Sequence, residues 1–189
     1  MKTDDKIFKR YISQLNHCLE ALDTGVLEKA VEAILKACSN DKQVFICGNG
    51  GSAATSSHLA CDLGKGMSIK GKKRPRVISL TDNVSLITAW SNDTCYENCF
   101  VEQLANILNE GDLLIGISAS GNSGNVLKAV EYAKSKGAST IGLVGFGGGK
   151  LQKIADIPVL IDSNEYEVVE DIQLCAGHII KRAIMEKVK

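Results

Sequence analysis

The sequence lacks an excess of either charge, a long apolar run and, almost entirely, proline. Its 22 basic residues balance 22 acidic residues, so the chain carries no net charge at pH 7. Proteins that bind nucleic acid or an anionic membrane rely on surplus positive charge, and we therefore expect neither partner. No apolar run approaches the roughly 18 residues that span a bilayer. The two prolines, at positions 75 and 158, each border a predicted strand, where proline is tolerated.

The cysteines also lack a pattern that would indicate a disulfide framework. There are seven of them, an odd number, and no two are spaced as Cys-x-x-Cys. Several lie within apolar stretches, where a thiol behaves as a small hydrophobic group. Reduced and mostly buried cysteines favour a cytoplasmic protein. The N-terminus is charged from its second residue onwards and predicts no signal peptide.

The apolar residues that are present follow two periodicities, which predict an α/β fold. Helical spacing predicts a pair of helices within residues 5–39, before any strand. Short apolar runs of the kind covered on both faces then predict strands at 43–48, 75–80, 112–118, 139–145 and 157–162. Helices are predicted at about 52–64, 83–90, 96–108, 123–136, 148–153 and 166–187. This alternation predicts a parallel sheet with helices on both sides, in one domain spanning residues 1–189.

Two loops rich in glycine and hydroxyl residues each follow a predicted strand. The first, GNGGSAATSSH at 48–58, follows VFIC, and the second, SASGNSGN at 118–125, follows LLIGI. Ligands collect beyond the carboxyl ends of parallel strands, where the N-termini of the next helices also lie. Amides at helix N-termini carry partial positive charge, and serine hydroxyls add neutral donors. Two such loops are suited to bind one phosphate without any lysine.

Other interpretations of these loops stay open at this point. The first loop supplies Gly-x-Gly but lacks the third glycine of a dinucleotide fingerprint, and it also lacks the Gly-Lys-Ser/Thr of a Walker loop. Each loop by itself is compatible with a tight turn and a helix cap that bind no ligand. The recurrence of the same chemistry at two equivalent positions favours a ligand.

Two of the three histidines share predicted helix faces with carboxylates. His58 and Asp62 are four residues apart, and Glu170 and His178 are eight apart in the last helix. If the two helices converge, these side chains offer nitrogen and oxygen ligands that suit zinc or another divalent ion. A histidine and an acid at this spacing are also a common surface pair. His17 has no such neighbour, and we interpret it as an ordinary helix residue.

The segments ICGNGGSA and LLIGISASGNSGNVLKAV, with the histidine of SSH, resemble the sugar isomerase (SIS) domain family in its bacterial phosphoheptose isomerase branch. The resemblance covers essentially the whole chain. It implies a three-layer α/β/α sandwich of flavodoxin-like type around a five-stranded parallel sheet, with an N-terminal helical pair. It also implies a homotetramer with active sites between subunits. The implied reaction converts a ketose phosphate, sedoheptulose 7-phosphate, to an aldose phosphate.

The resemblance assigns roles to residues of both loops. Ser52 and the serines of the second loop would hold the phosphate, while Asn49 and Asp82 would face the sugar. Ala119 stands where the family commonly has threonine. The full set of substrate-binding residues implied in this way is Asn49, Gly50, Ser52, Asp82, Ser118, Ala119, Ser120, Ser123 and Glu170.

The resemblance also implies a metal site formed by His58, Asp62, Glu170 and His178, with zinc as the expected ion. Asp62 stands where the family commonly has glutamate, and Glu170 where it has glutamine. Both exchanges keep an oxygen ligand and so still permit a divalent ion. Isomerisation through an enediol needs a base with a pKa near neutral. Asp62 and His178 are the candidate catalytic residues, with Glu170 as an alternative base.

Two alternatives to phosphoheptose isomerase activity stay open. The loops do not encode the length of the sugar, so an isomerase of another sugar phosphate fits them as well. A non-catalytic phosphosugar-binding tetramer that acts through protein partners, resembling a replication initiation factor of this branch, fits the exchanges at positions 62 and 170. The presence of both His58 and His178 favours an enzyme.

Overall fold

The structure is a computed structural model that describes residues 5–68 and 73–188, which fold into alternating helices and strands. The helices are α1 (Asp5–Glu20), α2 (Thr24–Ser39), α3 (Gly51–Gly64), α4 (Val84–Asp93), α5 (Val101–Ile107), α6 (Gly124–Ser135), α7 (Leu151–Ile154) and α8 (Tyr166–Val188). The strands are β1 (Gln43–Cys47), β2 (Arg76–Ser79), β3 (Leu113–Ser118), β4 (Ser139–Val144) and β5 (Ile157–Leu160). Within these described ranges, each helix is too short or too polar to cross a membrane.

The five strands form one parallel sheet in the order β2-β1-β3-β4-β5. This order confirms the predicted flavodoxin-like α/β class. After β1 the chain forms β2 on one side of β1, and it then forms β3 on the other side of β1. The direction of strand addition therefore reverses between β1 and β3. In open parallel sheets a ligand site lies beyond the carboxyl ends of the strands at such a switch point. Both glycine and serine loops start there, because they follow β1 and β3.

Helices cover each face of the sheet over a separate apolar core. Alternate residues of a strand point to opposite faces, so Val44 and Ile46 join one core while Phe45 and Cys47 join the other. α2, α3 and α8 pack over the first core, and α5, α6 and α7 pack over the second. The six residues of β3 are all buried, as expected for a strand covered on both faces.

The prediction that every strand is covered on both faces is wrong for the two strands at the sheet edges. Ile78 in β2 is 41% exposed and Leu160 in β5 is 38% exposed, and these are the first and last strands of the sheet.

Two predicted helices are also shorter than expected. The one predicted at 148–153 begins at Leu151, since residues 147–149 are glycines with positive φ, which a right-handed helix excludes. The one predicted at 96–108 is a 3₁₀ turn, Tyr96–Asn98, followed by α5.

Candidate functional site

A cavity of about 160 Å³ lies at the switch point between β1 and β3. This volume is about five times the roughly 30 Å³ that one water molecule occupies in the liquid. Four serines line it, and Glu170 supplies the one charged side chain of the lining. The complete lining is Asn49, Ser52, Ile117, Ser118, Ala119, Ser120, Ser123, Tyr166 and Glu170.

Two helix N-termini meet the cavity from the two loops. α3 begins at Gly51 and α6 at Gly124, and neither N-cap residue, Gly50 or Ser123, makes a side-chain capping hydrogen bond. A capping side chain would satisfy amides of the first turn. The third amide of each helix already has a partner, since the Ala53 amide donates to the Asn49 carbonyl and the Val126 amide to Asn125 Oδ1. The first two amides of each helix and the partial positive charge remain suited to an external anion.

The serine hydroxyls differ in what they contact. Ser118 and Ser123 face each other across the second loop, with their Oγ atoms 2.9 Å apart. Ser52 is buried, and its Oγ donates to Oε1 of Gln173 at 3.1 Å, while Gln173 Nε2 donates to the Leu143 carbonyl at 3.2 Å. The Ser52 hydroxyl is therefore held by the core, which leaves its backbone amide as the group directed to an anion.

A network of amide hydrogen bonds fixes Asn49. The side chains of Asn49 and Asn125 exchange two hydrogen bonds of 2.8 Å, and the Tyr96 hydroxyl donates to Asn49 Oδ1 at 2.9 Å. Asn125 is buried at the start of α6, so the network joins the first loop to the second. The orientation of Asn49 is thus set before any ligand binds.

Glu170 extends from α8 towards the first turn of α3. A Cβ atom added at Gly51 would overlap the Glu170 carboxylate, so the absence of a side chain at 51 makes room for that group. The helix dipole favours a negative charge at this point. The carboxylate therefore lies at the cavity, beside the uncapped amides of the first turn of α3.

A cluster of His58, Asp62 and His178 lies further along the same two helices. The two histidine Nε2 atoms are 3.0 Å apart, and Asp62 Oδ2 is 3.3 Å from His178 Nε2 and 3.7 Å from His58 Nε2. One ligand atom from each of the three residues lies within 4.8 Å of the others. The convergence of α3 and α8 that the metal hypothesis required is therefore present.

The chemistry of this cluster fits a divalent ion. Two imidazole nitrogens and one carboxylate oxygen are the ligands that catalytic zinc sites use when they keep a fourth position open. The second oxygen of Asp62, Oδ1, lies 3.5 Å from Lys181 Nζ, the type of outer contact that orients a ligating carboxylate. The described residues that form the cluster do not include Glu170, which was predicted as a fourth ligand.

Close packing of α3 on α8 sets the spacing of the cluster. Gly177 precedes His178 and lies against Leu59, which follows His58; a Cβ atom at 177 would overlap Leu59 Cδ2 and lie 3.1 Å from its Cγ. At Gly66, which follows α3, an added Cβ would overlap the Asp62 carbonyl oxygen and lie 2.8 Å from Lys181 Cε. Glycine is therefore required at 177 by the Leu59 side chain and at 66 by the backbone of the preceding helical turn.

Asp82 lies outside the serine-lined cavity. It lines a neighbouring open groove of about 900 Å³, together with Ser57. The Ser57 hydroxyl donates to Asp82 Oδ1 and also lies 3.1 Å from Thr81 Oγ1. This contact joins Asp82 to α3 at Ser57, within the first loop segment.

Most of these side chains were predicted from the sequence, but several of the residues that contact them were not. Asn125, Tyr96, Tyr166 and Lys181 were not singled out. Asn125 ends the SASGNSGN segment, so its place in the motif was a usable signal. The other three lie far from the loops in sequence, and no local pattern marks them.

The fold and the paired loops define a class of protein. The family model described as SIS domain matches residues 8–145. Since this match covers more than half of the 189 residues, the chain belongs to the SIS domain family.

Relatives in this family are phosphoheptose isomerases, and the chain belongs to their branch. The phosphoheptose isomerase of Helicobacter pylori is 36% identical over 180 residues, which are 94% of this chain and 93% of that protein. The phosphoheptose isomerase of Clostridium acetobutylicum is 39% identical over 154 residues, covering 82% of this chain and 78% of that protein. The predicted resemblance is confirmed.

Solved structures agree with this assignment. A phosphoheptose isomerase from Francisella tularensis has a TM-score of 0.88 and 30% identity, and the alignment covers 97% of this chain and 98% of that one. The phosphoheptose isomerase of Neisseria gonorrhoeae has a TM-score of 0.86 and 29% identity, with 96% of each chain covered. The whole described fold is thus shared with enzymes of this name.

Proposed function

We propose that this chain is an aldose–ketose isomerase that converts sedoheptulose 7-phosphate to a heptose 7-phosphate. The observation that carries the proposal is that α3 and α8 each reach both the serine-lined cavity and the histidine cluster. Ser52 and His58 are six residues apart on α3, and Glu170 and His178 are eight apart on α8, which corresponds to about 9–12 Å along a helix. That separation suits the carbon chain of a sugar with a phosphate at one end.

The phosphate end would be bound without formal positive charge. The uncapped first turns of α3 and α6 supply backbone amides, and Ser118, Ser120 and Ser123 supply hydroxyls. Gly50 permits the turn into α3, because its φ of 55° is a conformation that glycine adopts without strain. Asn49 is fixed at the cavity and would bind a sugar hydroxyl through the capacity its internal network leaves open.

At the other end the reaction exchanges two protons between neighbouring positions of the sugar. A base removes a proton from C1 of the ketose, the resulting enediol is protonated at C2, and the hydroxyl proton moves from O1 to O2, so that the product is an isomer. The proposed carriers of these protons are Asp62 Oδ2 and His178 Nε2, which lie 3.3 Å apart. Glu170, the alternative base predicted from the sequence, lies at the phosphate end of the proposed site, about 12 Å along α8 from His178, and is not assigned to this step. Asp82 is proposed to contact the sugar from the neighbouring groove.

A divalent ion, for which we propose zinc, would be held by His58, Asp62 and His178. Glu170, which was predicted from the sequence as a fourth ligand, would not reach this ion within one chain, because it lies eight residues from His178, about 12 Å along α8. When bound, such an ion supplies Lewis-acid polarisation of the carbonyl or orders the sugar hydroxyls. The residues themselves orient the substrate: the two imidazoles and Asp62 define the reacting end, and the serine loop fixes the opposite end.

We further propose a cytoplasmic homotetramer with sites between subunits. Exposed apolar residues on α1 and α4 support an assembly, since α4 has no buried residue within the chain. These residues are Ile7, Phe8, Ile12, Val84 and Leu86. All seven cysteines are free, which supports the reducing compartment. Light scattering should give about four times the 20.2 kDa chain mass; a monomer would contradict this part.

The activity is tested by incubating the protein with sedoheptulose 7-phosphate and following aldose formation by NMR, with and without a chelator. We expect turnover in the wild type, a loss of at least about 100-fold in His178→Ala, and no loss in the matched control His17→Ala, whose histidine lies outside the cluster. Metal analysis should give near one divalent ion per chain.

Two outcomes would contradict the proposal. A wild type that shows no turnover even with added zinc would remove the isomerase assignment, and binding without turnover would support the phosphosugar-binding alternative. A His178→Ala variant as active as the wild type would remove the histidine cluster from the mechanism.

A further inference from the structure

Phe146 has a left-handed backbone conformation of the kind that glycine usually adopts, and the three residues after it are glycines. It lies in the segment GFGGG at 145–149, in which residues 147–149 are glycines with positive φ, and its own φ is 49°. For a bulky residue this conformation is sterically costly, whereas glycine adopts it freely. A phenylalanine at this position therefore indicates that its ring has a use.

The ring of Phe146 packs against the ring of Tyr166. Their centroids are 4.6 Å apart with an interplanar angle of 45°, within the range of favourable aromatic pairs. The backbone on both sides is anchored: the Phe146 amide donates to the Ser163 carbonyl at 2.8 Å, and the Gly145 amide donates to the Ala119 carbonyl at 2.9 Å. The segment thus joins the serine loop to the chain that enters α8.

Tyr166 lines the serine cavity together with the serines of the second loop. It is the first residue of α8, and Glu170, one turn later on the same face, lines the cavity too. The residue is 56% exposed, and its ring contacts Phe146. Among the lining residues it is the one aromatic side chain.

The cavity therefore has two chemically different walls. The hydroxyls of Ser118, Ser120 and Ser123 suit a phosphate, which needs hydrogen-bond donors. Apart from its hydroxyl, the ring of Tyr166 offers a phosphate no donor, but it can remove apolar C–H surface of a sugar from water.

We propose that Tyr166 is a specificity-determining residue whose ring contacts the carbon chain of the sugar phosphate, and that Phe146 is a positioning residue that holds this ring in place. The inference rests on the proposed function in taking the ligand to be a sugar phosphate. It assigns to Tyr166 a part of the discrimination between a sugar phosphate and inorganic phosphate, in addition to the sugar contacts proposed for Asn49 and Asp82.

The expected effects separate the two ligands. Tyr166→Leu should weaken sedoheptulose 7-phosphate binding by about three- to tenfold, the effect of losing one aromatic contact, and leave inorganic phosphate unchanged. Tyr166→Phe keeps the ring and should bind both ligands as the wild type does. Phe146→Gly keeps the backbone conformation without its steric cost, and should weaken the sugar phosphate alone because Tyr166 loses its support.

Isothermal titration of the full chain with each ligand, at a temperature where every variant is folded, makes the test. Tyr132→Leu is the matched control, since Tyr132 lies on α6 away from the cavity lining. The proposal falls if Tyr166→Leu binds sedoheptulose 7-phosphate within twofold of the wild type, or if Tyr166→Leu and Phe146→Gly lose inorganic phosphate to the same extent. A wild type that binds inorganic phosphate but not the sugar phosphate would instead overturn the proposed function, and this inference with it.

Discussion

Replacing Gly177 by alanine should open the histidine cluster while leaving the protein folded. Gly177 lies where α8 crosses α3, one residue before His178, and faces Leu59, one residue after His58. The added methyl group would overlap Leu59 Cδ2 by about 1 Å relative to the 3.0 Å that real Cβ contacts keep. Leu59 is buried, and the cavity that it lines together with Gly177 is only about 10 Å³, so we expect the two helices to separate rather than Leu59 to turn away.

The cost to stability should be small because two effects oppose each other. Overpacking a core costs about 1–3 kcal/mol. Alanine is more favourable than glycine within a helix by about 1 kcal/mol, which offsets part of that cost. The net loss of about 0–2 kcal/mol corresponds to a fall in melting temperature below about 8 °C for a domain of this size.

The effect of Gly177→Ala on the histidine cluster should be larger than its effect on stability. The Nε2 atoms of His58 and His178 are 3.0 Å apart, so a displacement of about 1 Å is a large fraction of their separation. Such a displacement of ligands or catalytic groups costs roughly 10–100-fold in metal affinity or activity. We therefore expect the zinc dissociation constant of Gly177→Ala, measured by competition with a chelating indicator, to rise by at least about tenfold.

The matched control is Gly64→Ala. Gly64 lies in α3, and an added Cβ would lie 4.0 Å from Val77, an ordinary contact. This variant should keep the zinc affinity of the wild type and gain up to about 1 kcal/mol of stability. If Gly177→Ala binds zinc within twofold of the wild type, the close approach of α3 and α8 does not set the geometry of the cluster.

Two further predictions concern groups away from the cluster. Burial raises the pKa of Asp156, but hydrogen bonds from Lys134 and Thr140 outweigh it and hold this pKa below its usual value. The stabilisation by the Asp156 carboxylate is complete above the ordinary aspartate pKa of about 3.9 and is lost as pH falls through the lower pKa of the folded state. Asp156→Asn should therefore lower the free energy of unfolding by about 1–2 kcal/mol near pH 7, and this difference should shrink in denaturation curves below about pH 4. A difference that does not depend on pH would refute this. Burial also raises the pKa of the Cys47 thiol, so alkylation followed by mass spectrometry should label the exposed Cys61 first and Cys47 on unfolding alone; equal rates would contradict the core position of Cys47.

The element pattern was predictable from short-range information. A buried strand such as LLIGIS is a continuous apolar run because both of its faces are covered, and a run of this kind is visible without knowledge of its neighbours. The edge strands were less predictable, since VIS in β2 looks the same whether one side of the strand is paired or two. Edge position depends on strand order, which no single segment encodes.

The serine loops and the histidine cluster also differed in how far they could be predicted from the sequence. The serine loops follow β1 and β3 directly, so the rule for parallel sheets was enough to predict that they meet. Spacing alone also placed His58 and Asp62 on one helix face. It left open whether this pair was an ordinary surface pair, because a surface pair has the same spacing.

The sequence by itself therefore determined the fold class, the two loops proposed to bind an anion and the residues proposed for acid–base chemistry. Tertiary structure alone decided that His178 joins His58 and Asp62, that Glu170 lies at the serine cavity, and that Tyr166 forms one of its walls. The physical reason is the separation along the sequence over which each signal acts. Periodicity and loop chemistry act between residues a few positions apart, whereas the contact of α3 with α8 joins residues more than 100 positions apart and depends on a glycine at 177 that has no local signature.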